Sequence, residues 1–116
     1  MIKRLHGKPL LHLAVHHDNT VYLCGATADD RSVGLGEQTT QALNKLAKWL
    51  EISGSHRSLL LNTMIYITDM SRKDELNAAW EAWFDGKDQP TRACIGVADL
   101  GPNILVEIVG IAAKAS

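Results

Sequence analysis

The chain has 116 residues, with 12 Lys and Arg against 13 Asp and Glu, a formal net charge of −1 and two cysteines. That length suits one domain with its own core, and the intermixed charge offers neither a basic stripe for nucleic acid nor a polybasic anchor for a membrane. No apolar run approaches the ~20 residues that cross a bilayer as a helix, no small-residue cleavage site follows the N-terminus, and Cys24 and Cys94 form no CxxC pair, so the expectation is a soluble cytoplasmic domain.

Along the chain, the first strand is expected at residues 10–16, where Leu11, Leu13 and Val15 alternate with Leu10, His12, Ala14 and His16. The segment HDNT turns the chain into a second strand, VYLCG, making a hairpin. Residues 26–36 are polar and glycine-bearing and read as a loop. From Glu37 to Ser53 the positions Ala42, Leu43, Leu46, Ala47 and Leu50 recur at helical spacing, and Gly54 falls where a left-handed C-cap belongs. SLLLNTMIYIT, residues 58–68, is aliphatic and β-branched enough for a third strand. A second helix follows, with Ser71 as N-cap, a stripe of Leu76, Ala79, Trp80, Trp83 and Phe84, and Gly86 at its end. Two last strands, Arg92 to Val97 and Ile104 to Ala112, are joined by ADLGPN. The order ββαβαββ predicts an α+β fold with two helices on one face of a mixed sheet.

Two helices leave the other face bare, yet the third strand is apolar both ways. Leu59, Leu61, Ile65 and Ile67 are expected on one side, and Leu60, Met64 and Tyr66 on the other. The last strand repeats this, with Ile104, Val106 and Ile108 opposite Leu105 and Val109. Another copy of the chain is the economical cover, so an oligomer is expected, with any site near the subunit junction.

Within that apolar last strand sits Glu107, and a buried carboxylate must be neutral, hydrogen-bonded or paired. Arg92 begins the preceding strand, with Cys94 and Gly96 on its face by the period of two. An antiparallel pair across ADLGPN would set Cys94 or Ile95 opposite Glu107 and Arg92 towards the far end. The two charges would then line one pocket, leaving the guanidinium for an anionic ligand. The competing readings are a structural Glu–Arg contact and a glutamate facing solvent at a sheet edge.

The stretch PTRACIGVADLGPNILVEIVGIA resembles the C-terminal signature of the RidA/YjgF family, and NAAWEAWF, EQTTQALNKLAKWLEISG and VYLCG fall in that family's order and spacing. The resemblance implies a chorismate-mutase-like fold and a homotrimer with three ligand clefts between subunits. It also implies hydrolysis, without a cofactor, of reactive enamines and imines to 2-oxo acids and ammonia. Arg92 would then hold the substrate carboxylate, and Glu107 would handle the attacking water and the leaving nitrogen. By the same resemblance Cys94 contributes through its backbone, Gly25 permits close approach of backbone to ligand, and Asn77 shapes the cleft. The chain departs from the archetype at Cys24, which replaces a hydroxyl residue, and near Leu11, where a GPY tyrosine is missing. Substrate preference is expected to depend on this altered first strand.

Other features point elsewhere more weakly. His12 and His16 share a strand face, but no Cys or carboxylate completes a metal-ligand set beside them. Neither cysteine belongs to a nucleophilic triad, and Trp80, Trp83 and Phe84 read as core. GLGEQ lacks the Lys-Ser/Thr of a phosphate loop and reads as helix entry. The alternative to a deaminase is a non-catalytic trimeric module that binds small carboxylic or 2-oxo acids. A ribonuclease or interaction protein lacks a basic patch and a catalytic His–Lys constellation.

Overall fold

A computed structural model describes all 116 residues. The hairpin read from HDNT forms as β2 (His12–His17) and β3 (Thr20–Leu23), whose register pairs His17 with Thr20 across Asp18 and Asn19. Asp18 takes the left-handed φ of 53° that short polar side chains tolerate. Ahead of it lies a strand the hydrophobic pattern does not reveal: β1 (Ile2–Gly7) pairs antiparallel with β2 at the edge of the sheet. Its residues are exposed save a half-buried Leu5, so IKRLHG carries little alternation to read.

Helix α1 (Leu35–Ile52) turns Leu35, Thr39, Ala42, Leu43, Leu46 and Leu50 inward, the i, i+4, i+7 stripe of an amphipathic helix. Its first turn is anchored by Gln38, which is fully buried. The Gln38 amide donates to the carbonyls of Val33 and Asn103 at 3.0 Å and accepts from the Leu105 N–H at 3.0 Å. At the other end Gly54 adopts φ 78°, and the Ser55 N–H closes on the Leu50 carbonyl at 2.8 Å.

After β4 (Leu60–Ile67), helix α2 (Lys73–Phe84) begins one residue later than expected. Asp69, not Ser71, supplies the cap: its carboxylate accepts from the Ser71 N–H at 3.0 Å and the Ser71 hydroxyl at 2.6 Å, holding a 3-10 turn over Met70–Arg72. Leu76, Trp80 and Phe84 face the core. The helix stops where Asp85 and Gly86 both turn left-handed.

The last two strands do not form the expected hairpin. β5 (Thr91–Gly96) runs parallel to β4, reached by the crossover through α2, whereas β6 (Val106–Ala113) inserts antiparallel between β3 and β4. The six-stranded order is β1-β2-β3-β6-β4-β5, a mixed sheet with both helices on one face. The residue opposite Glu107 is consequently Tyr66, with Ile95 one strand further out.

Under the helices, Val21, Leu43, Leu46, Leu50, Ile65, Ile67 and Ile108 are fully buried, each contributing roughly 1.5–3 kcal/mol of transfer free energy. A register shift between Leu60 and Asn62 reverses part of the expected pattern, because an extra residue in one strand exchanges its faces. Leu60 joins the core and Leu61, expected beside Ile65, is 51% exposed. On the far face, Tyr22 and Ile95 are exposed, and Met64, Tyr66, Val109 and Ile111 are half-buried with no element of the chain above them.

Candidate functional site

Glu107 lies on the uncovered face, half-buried, directly across from Tyr66. Its carboxyl group lies against the backbone of Gly25: a Cβ on that glycine would overlap the carboxylate oxygen and fall 2.8 Å from Cδ. Gly25 therefore makes room for the Glu107 side chain. The segment is fixed there by paired backbone bonds, Ala26 N–H to the Ile108 carbonyl at 2.8 Å and Ile108 N–H to the Ala26 carbonyl at 2.9 Å. No ion pair within the chain involves the Glu107 carboxylate, and no side-chain hydrogen bond reaches it.

Cys24 stands beside this pair, its N–H donating to the Leu13 carbonyl at 2.9 Å. Burial pushes its thiol pKa up, the Lys8 ammonium draws it back, and the Glu107 carboxylate adds to the rise. A thiol held in its neutral form is a poor nucleophile, consistent with a packing role for the side chain.

Arg92 belongs to a second cluster on the helix-covered side of edge strand β5. It opposes Thr63, which is fully buried beneath the helices. The Arg92 guanidinium donates from Nη2 to Asn77 Oδ1 at 2.5 Å and stands 5.0 Å from the centre of the Trp80 ring, a cation–π contact. A cleft of about 350 Å³ opens over it, lined by Asn77, Trp80, Glu81, Gln89, Pro90 and Arg92. Arg92 forms no ion pair with any carboxylate of the chain, Glu81 included. Cys94 follows on the same face, half-buried against the core opposite Ile65.

The chain thus brings Cys24, Gly25 and Glu107 together, and separately Asn77, Arg92 and Cys94, but leaves the two clusters on opposite faces of the sheet. A structural Glu107–Arg92 contact within one subunit is excluded by this geometry. Tyr66 opposite Glu107 and Trp80 beneath Arg92 carry no motif that marks them for the site. The signal for Trp80 was its place one helical turn after Asn77, which its core role concealed. His12 is exposed, His16 is buried, and no three His, Cys, Asp or Glu side chains are grouped to hold an ion.

The family model described as Endoribonuclease L-PSP matches residues 3–114. A RutC family protein of Haemophilus ducreyi is 33% identical over 97 residues, covering 84% of this chain and 83% of that protein. YoaB, a RutC family protein of Escherichia coli, is 31% identical over 99 residues, covering 85% and 86%. Among solved structures, an uncharacterised protein of Pseudomonas aeruginosa superposes with a TM-score of 0.92 at 32% identity, over 99% of this chain and 100% of that one. A member of the YjgF protein family from Neisseria meningitidis gives 0.90 at 30% identity, over 100% and 97%. With a family match across nearly the whole chain, relatives above 30% identity and a shared two-helix, six-stranded architecture, the chain belongs to the RidA/YjgF family.

Proposed function

We propose that the protein is a cofactor-independent deaminase that hydrolyses reactive 2-imino and 2-enamino acids to 2-oxo acids and ammonia, acting as a homotrimer with its clefts between subunits. The observation that carries this reading is that Glu107 and Arg92 are both free of ion pairs and lie on opposite faces. Neither neutralises the other within the chain, so each charge is available to a ligand. A second copy laid on the apolar face beside Glu107 excludes water from that face and brings the edge-strand Arg92 of one subunit towards the Glu107 of its neighbour.

In such a cleft the planar guanidinium pairs with the substrate carboxylate through two N–H donors while Asn77 and Trp80 hold it in place. The Glu107 carboxylate accepts a proton from water as the water oxygen bonds to the imine carbon, and the carbon–nitrogen π electrons move to nitrogen. Glu107 then returns a proton to that nitrogen. In the resulting carbinolamine the hydroxyl proton passes by way of Glu107 to the amine nitrogen, and the carbon–nitrogen bond breaks with loss of ammonia as the carbon–oxygen double bond forms. An enamine enters the same sequence after protonation at carbon. Cys24 and Gly25 border the carboxylate end, and Cys94 lies beside Arg92.

A non-catalytic module binding 2-oxo acids would need Arg92 but not a free carboxylate opposed by an aromatic residue and cleared by a glycine. An endoribonuclease, the activity in the family model's description, needs cations that track a phosphate backbone, whereas the chain carries a formal charge of −1 with its Lys and Arg dispersed. The two free cysteines suit a reducing cytoplasm, and no helix is long and apolar enough to cross a membrane.

The test is 2-oxo acid release from imines generated in situ by an amino-acid oxidase. Wild type should accelerate it, and Arg92→Ala and Glu107→Gln should each lower kcat/KM by about 100-fold or more. A folded oligomer that accelerates no imine yet binds 2-oxo acids through Arg92 would leave the binding module in place of the enzyme.

A further inference from the structure

The cleft over Arg92 holds a second charge that the proposed mechanism does not use. Asn77, Trp80 and Glu81 line it from α2, and Gln89, Pro90 and Arg92 line it from the segment that enters β5. Arg92 is the one cation among these residues and Glu81 the one acid. Asn77, whose Oδ1 receives the guanidinium at 2.5 Å, stands four residues before Glu81, so the two are neighbours on one helix face with Cβ atoms about 5–6 Å apart. Opposite charges thus share a cleft of about 350 Å³, and neither forms an ion pair with the other or with any other group of the chain. The helix gives no reason of its own for an acid there. Glu81 lies in the last turn of α2, where the free carbonyls disfavour a carboxylate, and the residues four positions to either side, Asn77 and Asp85, are not cations.

We infer that Glu81 is a specificity-determining residue: the cleft favours 2-imino acids, and the 2-oxo acids formed from them, whose side chain ends in a cation, with the carboxylate on Arg92 and the cation on Glu81. This rests on the deaminase reading and names its substrate class. A three-methylene side chain ending in a guanidinium reaches one helical turn, about 5.4 Å, past the carbon that bears it, which matches the step from Asn77 to Glu81. Trp80 and Pro90 offer apolar surface to the methylenes, and the Gln89 amide oxygen adds an acceptor for the cation. A neutral side chain gains nothing from Glu81. A second carboxylate meets it as a like charge once Arg92 is occupied, so dicarboxylic acids are turned away.

The experiment reads binding and turnover separately. The protein would be titrated calorimetrically with 5-guanidino-2-oxopentanoate, 2-oxopentanoate and 2-oxoglutarate, and the matching imines, generated from arginine, norvaline and glutamate by an amino-acid oxidase, would be assayed for hydrolysis. Wild type, Glu81→Gln and Glu81→Lys are compared, and because Glu81 is exposed both variants should fold. Wild type should bind the cationic acid about threefold more tightly than the neutral one and the dicarboxylic acid about threefold more weakly, the size of one exposed charge contact. Glu81→Gln should level these differences and Glu81→Lys should reverse them, with KM following Kd and kcat little changed. An order of affinities indifferent to both substitutions overturns the inference alone. The expected order in binding, with no imine hydrolysed, supports Glu81 as the selecting residue and overturns the deaminase reading instead.

Discussion

The two faces of one sheet carry similar apolar residues and meet different fates. Beneath the helices Ile65, Ile67, Val106 and Ile108 are fully buried, and Arg92 is steadied by Asn77 and Trp80. On the other face Tyr22 is 44% and Ile95 40% exposed, and Glu107 stands among half-buried neighbours without a polar partner. The covered face is complete in a single chain and supplies stability. The bare face has no element of the chain above it, and it holds the group that the proposed chemistry would use. Neighbouring residues of β6 thus report on different things, since the period of two sends Ile108 to one side and Glu107 to the other.

Breaking the comparison at this pair should give the largest contrast. Glu107→Gln should lower kcat by about 100-fold or more in imine hydrolysis while leaving the unfolding midpoint nearly unchanged. Ile108→Ala should instead cost about 2–5 kcal/mol in denaturant unfolding, because it leaves a cavity under α1. A drop in stability for Glu107→Gln as large as that for Ile108→Ala would make the glutamate structural.

A smaller effect should come from the bare face itself. Tyr22→Ser with Leu61→Ser should change subunit stability by only about 0.5 kcal/mol per site, as surface changes do, yet lower the mass measured by light scattering. An unaltered mass would mean that the oligomer is built on another surface.

The smallest effect sharpens the covered side. His16 is buried on that face, and burial, with the ammonium groups of Lys114 and Lys3, pushes its pKa below the ordinary 6.5. The unfolded chain therefore takes up the proton first. Stability should be level above pH 6.5 and fall as the pH drops from there towards the lowered folded value. His16→Leu should flatten that part of the profile, measured by thermal unfolding between pH 7 and 5. A slope that survives the substitution would belong to other groups.

Much of this arrangement was legible in the residues, for reasons that also explain what was not. The stripes of α1 and α2, the Asp18–Asn19 turn and Gly54 announce themselves because each depends on local geometry. β1 does not, since an exposed edge strand needs no apolar face. The short ADLGPN connection suggested a hairpin, but pairing is a long-range choice, and β6 gains two partners by inserting between β3 and β4. That choice put Tyr66 beside Glu107. The bulge at Leu60–Asn62 has no sequence marker and exchanged the sides of Leu60 and Leu61. For the site, Arg92 and Glu107 stood out by chemical type, while their separation onto two faces followed from the strand order alone.

The measurement that tests the central claim most directly is complementation between inactive subunits. Arg92→Ala and Glu107→Gln chains, each inactive alone, would be unfolded together, refolded as mixed oligomers and assayed with 2-iminopropionate. If Arg92 of one subunit serves Glu107 of the next, random mixing in equal amounts should restore about a quarter of the wild-type sites, since a cleft is intact when both of its contributing chains keep the needed residue. Mixed oligomers, confirmed by mass, with no activity above that of either variant would contradict a shared site.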